Sequence, residues 1–123
     1  MKAEYRGYLL HALDGEHLHA ANLETLTPVA LDNFVLDMDF YASPVGTEGF
    51  DAFSVRICSS KWFIENQRKE IFSLKNHIIM TEFNSNLLVD YLCKCCSAPE
   101  AETWEALALK IGAIGKWEFD YRT

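Results

Sequence analysis

The chain has 123 residues, half of them are apolar, and the formal net charge is −7. A chain of this size can bury one sizeable core without metal or disulfide bonds, so we expect a single domain spanning residues 1–123. No run of about 20 uncharged apolar residues occurs, and charge returns at Arg6 before a signal-peptide core could form. The sequence therefore predicts a cytoplasmic protein that does not enter a membrane.

The charges are unevenly distributed along the chain. Between Gly7 and Val55 there are eight acidic residues and no Lys or Arg, whereas from Arg56 to Thr123 nine acidic residues face nine Lys and Arg. Direct binding of nucleic acid needs clustered basic side chains that displace counterions from the phosphates, so this class of function is disfavoured. The acidic first half instead favours a basic partner.

The opening segment predicts a strand and then a loop. Residues 2–12 are rich in aromatic and apolar side chains, which favour β structure. The stretch that follows, to about Val29, contains Asp14-Gly15 and Thr27-Pro28, and both pairs favour turns. We expect no long regular element between this first strand and the next.

The clearest strand pattern runs from Asn33 to Tyr41. Apolar residues there alternate with Asp37 and Asp39, as they do in a strand with one buried face. After a segment rich in turn-forming residues, the same alternation resumes at residues 53–57. This pattern predicts an antiparallel hairpin in which Arg56 pairs with Asp37 or Asp39 across the strands.

The second half of the chain predicts helices, with strands between and after them. The elements expected there are a helix at 59–68, a strand at 76–83, a helix capped by Ser85, a helix capped by Ser97 in a capping box with Glu100, and a strand or extended tail at 116–121. Together with the first half they predict an α+β fold. We expect an antiparallel sheet of about four to five strands packed against two to three helices.

Neither the histidines nor the cysteines form a convincing site. His17 and His19 with Glu16 offer a metal too few ligands, because a structural zinc ion takes four in paired spacings. The four cysteines, in a chain without an export signal, are expected to be reduced apolar residues. A nucleophile pair such as Cys58 and His77 has no glycine-rich turn beside it to supply an oxyanion hole. We therefore expect no catalytic residues, no metal and no cofactor.

Four short segments spread over nearly the whole chain have a characteristic order. They are Met-Lys-Ala-Glu at 1–4, Phe-x-Val-Arg-Ile-Cys-Ser-Ser-Lys-Trp at 53–62, Glu-Thr-Trp-Glu at 102–105 and Ile-Gly-Lys-Trp-Glu-Phe at 114–119. In this order they resemble the immunity protein 8 family. The resemblance implies a protein of bacterial polymorphic toxin systems, encoded beside a secreted toxin, which binds the toxin domain and protects the producing cell and its kin. It implies no catalytic residue.

The charge distribution and the resemblance lead to one hypothesis about the site. Toxins that attack nucleic acid are commonly basic, and an acidic protein covers such a site by mimicking phosphate charge and speeds association by electrostatic steering. We therefore predict that Asp37, Asp39, Glu48 and Asp51 form part of a face that binds a cognate toxin domain, such as a basic nuclease. Trp117 is the candidate aromatic contact of that interface.

Several alternatives stay open at this point. The acidic segment can serve solubility alone, or it can dock an unrelated basic protein to an adaptor or structural subunit. The histidines leave room for a small metal-dependent enzyme. Trp62 and Trp104 fit the core better than an interface, whereas Trp117 fits both. The sequence does not determine the oligomeric state.

Overall fold

The computed structural model describes residues 1–19, 21–67, 71 and 73–122. Strands and helices form an α+β arrangement, with four strands before the first helix. The elements are β1 (Ala3–Leu13), β2 (Glu16–His17), β3 (Val35–Pro44), β4 (Asp51–Ser59), α1 (Ser60–Asn66), β5 (His77–Met80), α2 (Ser85–Ser97), α3 (Trp104–Ile111) and β6 (Lys116–Trp117). Within these described ranges, no helix combines the length and the hydrophobicity that crossing a bilayer requires.

The strands form one sheet in the order β2-β1-β3-β4-β5, and β6 pairs with the first half of β4. The predicted α+β class is confirmed, and so is the hairpin of β3 and β4. The β4–β5 pair is parallel, whereas the other pairs are antiparallel. Parallel neighbours cannot be joined by a tight turn, and the crossover between β4 and β5 contains α1.

The core lies between one face of the sheet and the helices α2 and α3. Strand alternation sends every second side chain of β3 and β4 to this face, where each is less than 5% exposed. These residues are Leu36, Met38, Phe40, Ala42, Phe53, Val55 and Ile57. The rings of Phe40 and Phe53 stack with centroids 5.2 Å apart. The helices add Leu88, Leu92, Cys96, Leu107, Ala108 and Ile111 to the same cluster.

Two helices begin at other residues than the sequence predicted. Asn84, not Ser85, caps α2: its backbone is extended, and its side chain accepts a backbone N–H bond of 3.0 Å. Thr103, not Ser97, caps α3 in the same way, with a bond of 3.2 Å. Ser97 is the last residue of α2, so its helical backbone cannot supply the extended conformation that an N-cap needs.

The other predicted elements are present with different lengths. The helix expected at 59–68 spans Ser60–Asn66, with Ser59 as its N-cap, and the predicted end at Arg68 lies outside the described residues. The strand expected at 76–83 is limited to β5, and the one expected at 116–121 to β6. The two-residue strand β2 lies in the segment predicted as a loop.

Candidate functional site

One face of the sheet is not covered by the two helices that enclose the core. Helices α2 and α3 pack on the core side, where α2 contacts β1 and α3 contacts β6. The opposite side of the three central strands carries Leu9, His11, Asp37, Asp39, Tyr41, Ser54 and Arg56. We call this set of residues the open face. Helix α1 lies at one end of it, where it contacts β4 and β5.

Asp39 lies in the middle of the open face and is held from two sides. Its cross-strand partner Ser54 donates a hydroxyl bond to Oδ1 at 2.7 Å, and Nε2 of His11 lies 3.1 Å from Oδ2. His11 reaches this carboxylate from a point in β1 where the register shifts between Leu10 and Ala12, and such a bulge re-aims a side chain. The Asp39 side chain is only 19% exposed. Its charge therefore has a well-defined position.

Asp37 is a second fixed charge on the open face, because it forms an ion pair with Arg56. Nε and Nη2 of Arg56 donate to the two carboxylate oxygens at 2.8 and 3.1 Å, which is the bidentate geometry that suits a guanidinium. The two residues are direct cross-strand partners, so the predicted pairing across the hairpin is confirmed. Hydrogen bonding to Asp37 raises the pKa of Arg56 further above its already high value.

Trp62 supports the other side of Arg56. The guanidinium carbon lies 5.8 Å from the centroid of the indole ring, within the range of a cation–π contact. Trp62 comes from α1, which has no buried residue, and its own side chain is half-buried. The prediction that Trp62 belongs to the core is therefore wrong, because α1 packs beside the open face and not between the sheet and α2.

The polar residues of the open face line a shallow depression of about 330 Å³. Its carboxylates can accept hydrogen bonds from a partner. The Ser54 hydroxyl donates to one oxygen of Asp39, and His11 lies against the other, so both side chains orient this carboxylate. This geometry suits the binding of a partner's hydrogen-bond donors.

The other candidates for chemistry do not assemble in the described part of the chain. Cys58 is fully buried, and this burial raises the pKa of its thiol, which makes it a poor nucleophile. Nδ1 of His77 lies 2.9 Å from the carbonyl oxygen of Lys75. Among the described residues, no three His, Cys, Asp or Glu side chains are grouped so that they could hold a metal ion.

Asp51 and Trp117, two of the predicted partner contacts, lie on the core side of the sheet. Oδ2 of Asp51 accepts indole N–H bonds from Trp104 at 2.7 Å and from Trp117 at 3.0 Å. Trp117 is only 8% exposed and belongs to the core, and Trp104 is half-buried against it. Asp51 therefore joins β4 to α3 and β6. The structure brings Asp37 and Asp39 together on the open face and leaves Glu48 exposed in the β3–β4 loop, where it lines a shallow depression with Asp51.

The remaining acidic residues of the first half lie outside the three strands that form the open face. All are exposed in the β1–β2 turn, in β2, or in the long loop before β3, and none forms an ion pair with another described residue. They are Asp14, Glu16, Glu24 and Asp32. The acidic segment of the sequence is thus divided among several surfaces of the molecule.

The immunity protein 8 family model matches residues 11–121, which include all of β3, β4 and the three helices. The chain belongs to the immunity protein 8 family. No curated protein and no solved structure matches it. Family membership supports an immunity role in toxin systems, in which the partner is a toxin protein.

In this member of the immunity protein 8 family, an aromatic pair that was not predicted from the sequence lies beside the open face. The rings of Tyr41 and Phe50 lie 4.4 Å apart between centroids, and Phe50 is 50% exposed although it is a large apolar residue. The signal was present in the sequence. Tyr41 continues the alternation of Asp37 and Asp39 along β3, so the same period of two could have placed it on their face.

Proposed function

We propose that this chain neutralises a cognate bacterial toxin domain by stoichiometric binding through the open face. One observation carries the proposal: two carboxylates, Asp37 and Asp39, are held in fixed positions on a sheet face that the helices of the core do not cover. Membership of the immunity protein 8 family makes a toxin the expected partner. The cytoplasm of the producing cell is the compartment in which this protection would act.

Fixed carboxylates favour binding because little side-chain entropy remains to be lost. Arg56 orients Asp37, while Ser54 and His11 orient Asp39, before any partner arrives. Preorganisation of this kind raises affinity by lowering the cost of ordering the interface. A partner that presents basic groups at matching positions would therefore meet a rigid acceptor surface.

A basic toxin domain, such as a nuclease, is the class of partner that best fits this surface. The net charge of −7 would attract a basic domain from a distance and speed association. Because Arg56 lies among the carboxylates, the open face carries positive as well as negative charges. A partner must match both, which favours one partner over other basic proteins. In this proposal the complex covers the basic active site of the toxin.

The test uses the toxin domain encoded immediately upstream of the gene. Cells expressing that domain should grow only when this protein is co-expressed, and the two should co-purify as a stable complex. The double variant Asp37→Asn, Asp39→Asn should bind at least about tenfold more weakly, since each interfacial charge pair contributes on the order of 1 kcal/mol or more. Its association rate should also fall.

A matched control removes two charges elsewhere. Glu16 and Asp32 are exposed and belong neither to the open face nor to its three strands. The double variant Glu16→Gln, Asp32→Asn has the same net charge as the test variant. It should keep wild-type affinity. Equal loss in both variants would mean that overall charge, and not the open face, governs binding. A toxic neighbour that the wild-type protein neither binds nor neutralises would instead favour an acidic adaptor with another basic partner.

A further inference from the structure

The hairpin end of the open face has an unusual combination of side chains. The rings of Tyr41 and Phe50 lie together there, and half of the Phe50 surface is exposed. Asp39 lies two residues before Tyr41 on the same face of β3, and Glu118 lies beside Ala52, the cross-strand partner of Tyr41. We call Asp39, Tyr41, Phe50 and Glu118 the aromatic corner.

The two carboxylates of the aromatic corner act on the same phenol group. Burial, and after it the charges of Asp39 and Glu118, raise the pKa of Tyr41 above its usual value. Both carboxylates are held in place. Asp39 accepts the bonds described above, and Oε1 of Glu118 accepts the backbone N–H of Ala52 at 3.0 Å. Negative potential therefore lies beside the half-buried ring of Tyr41, which contacts the half-exposed ring of Phe50.

We propose that the aromatic corner receives an arginine side chain of the toxin. The proposal rests on the proposed function, because it names the group that the toxin presents to this part of the open face. A guanidinium fits the corner in two ways at once: its plane stacks on a ring, and its N–H groups pair with carboxylates. A lysine ammonium is more strongly hydrated and lacks the planar stacking surface, so it fits less well.

The chemistry of the corner argues against other occupants. An anionic group would meet two carboxylates and no basic residue of the corner. A purely apolar side chain would cover Phe50 but would also remove water from Asp39 and Glu118 without replacing their hydrogen bonds, which costs free energy. Arginine satisfies the rings and the carboxylates together, and it is among the residues most enriched at interface hot spots.

The affinity of the upstream toxin domain for single variants tests the proposal. Phe50→Leu keeps an apolar side chain but removes the ring, and it should weaken binding by about tenfold. Phe50→Trp keeps an aromatic ring and should bind within about twofold of the wild-type affinity. Glu118→Gln keeps the oxygen that accepts the Ala52 N–H and should still weaken binding severalfold. Val45→Ala is the matched control, since Val45 is a 59% exposed apolar residue of the same loop.

Chemical footprinting identifies the toxin residue. Phenylglyoxal reacts with arginine, and one toxin arginine should be protected in the complex with the wild-type protein and should regain its reactivity in the complex with Phe50→Leu. Protection that is confined to lysines, detected with an amine reagent, would overturn the proposal. So would wild-type affinity of Phe50→Leu and Glu118→Gln.

The outcomes separate this proposal from the proposed function. If Phe50→Leu and Glu118→Gln bind normally while Asp37→Asn, Asp39→Asn binds weakly, the toxin uses the open face but not the aromatic corner. If all of these variants bind like the wild-type protein, the open face itself is not the binding surface. Circular dichroism spectra and urea midpoints of each variant exclude misfolding as the cause of a loss.

Discussion

Strands β3 and β4 contribute to two surfaces of very different character. On the core side their side chains are apolar and almost fully buried, and the one carboxylate there, Asp51, is bonded to two indoles. On the open face the same strands carry Asp37 and Asp39, which bond to polar side chains and keep part of their surface in water. One face of the hairpin therefore packs in the core, and its other face is a candidate binding surface.

The difference shows that charge alone does not identify a binding residue. Asp51 and Asp39 are both acidic residues of the hairpin, yet Asp51 serves to connect β4 with α3 and β6. Their positions in the strand alternation distinguish them. Asp51 lies on the same face of β4 as the buried Phe53, whereas Asp39 lies on the opposite, open face of the sheet. We expect substitutions on the two sides to separate stability from binding.

The largest effect on stability is expected on the core side. Phe53→Ala should lower the free energy of unfolding by about 3–5 kcal/mol, because it removes a fully buried ring that stacks on Phe40. Urea denaturation followed by circular dichroism gives this value. Phe50→Ala is the matched control, as it removes the same ring from a half-exposed position and should cost less than about 1 kcal/mol. Similar losses in the two variants would contradict the division between the surfaces.

The two carboxylates provide the second comparison. Asp51→Ala should lower the free energy of unfolding by about 2–4 kcal/mol, because the indole N–H groups of Trp104 and Trp117 lose a charged acceptor. Asp39→Ala should cost about 1 kcal/mol or less and should reduce toxin binding instead. Both values come from urea denaturation, and binding is measured by calorimetry with the upstream toxin domain. A larger loss of stability for Asp39→Ala would show that Asp39 is chiefly structural.

A smaller effect is expected from a single added methyl group on the core side. A Cβ at Gly115 would lie 2.5 Å from Cε1 of Phe40 and 3.2 Å from Cβ of Phe53. Since both neighbours are fully buried, Gly115→Ala should lower the free energy of unfolding by about 1–3 kcal/mol. Leu9→Ala on the open face, where Leu9 is half exposed, is the control and should cost less. An unchanged urea midpoint for Gly115→Ala would mean that the Phe40 ring moves aside without strain.

The hairpin was predictable from the sequence because its signal is local. Alternation with a period of two placed Asp37 and Asp39 opposite the core residues and aligned Arg56 with them. The same rule could have placed Asp51 on the core side, since it is in phase with Phe53, Val55 and Ile57. Asp51 was instead grouped with the other acidic residues of the first half, without regard to the strand face on which it lies.

Other features had no local signal. The bonds that Asp51 makes join residues 53 and 66 positions apart, and no spacing rule reaches that far. The parallel β4–β5 ladder also depends on where a crossover returns the chain. The cap of α2 was misplaced by one residue because Asn84 and Ser85 are both good N-caps, and only the extended backbone at Asn84 distinguishes them.

The last prediction concerns the end of the open face that α1 covers. We expect the cysteine thiols to differ in the rate at which an alkylating reagent labels them. Strand register places Cys58 on the side of Arg56, yet Cys58 is fully buried, and Cys96 is fully buried on the core side. Burial raises the pKa of both thiols, that of Cys96 to about 12, and so disfavours the reactive thiolate of each. Iodoacetamide at pH 8 should therefore label the half-buried Cys93 before either of them, as mass spectrometry of timed samples can show. In urea all of the thiols should react. Labelling of Cys58 as fast as Cys93 in the native protein would mean that α1 opens readily and that the open face extends beyond Arg56.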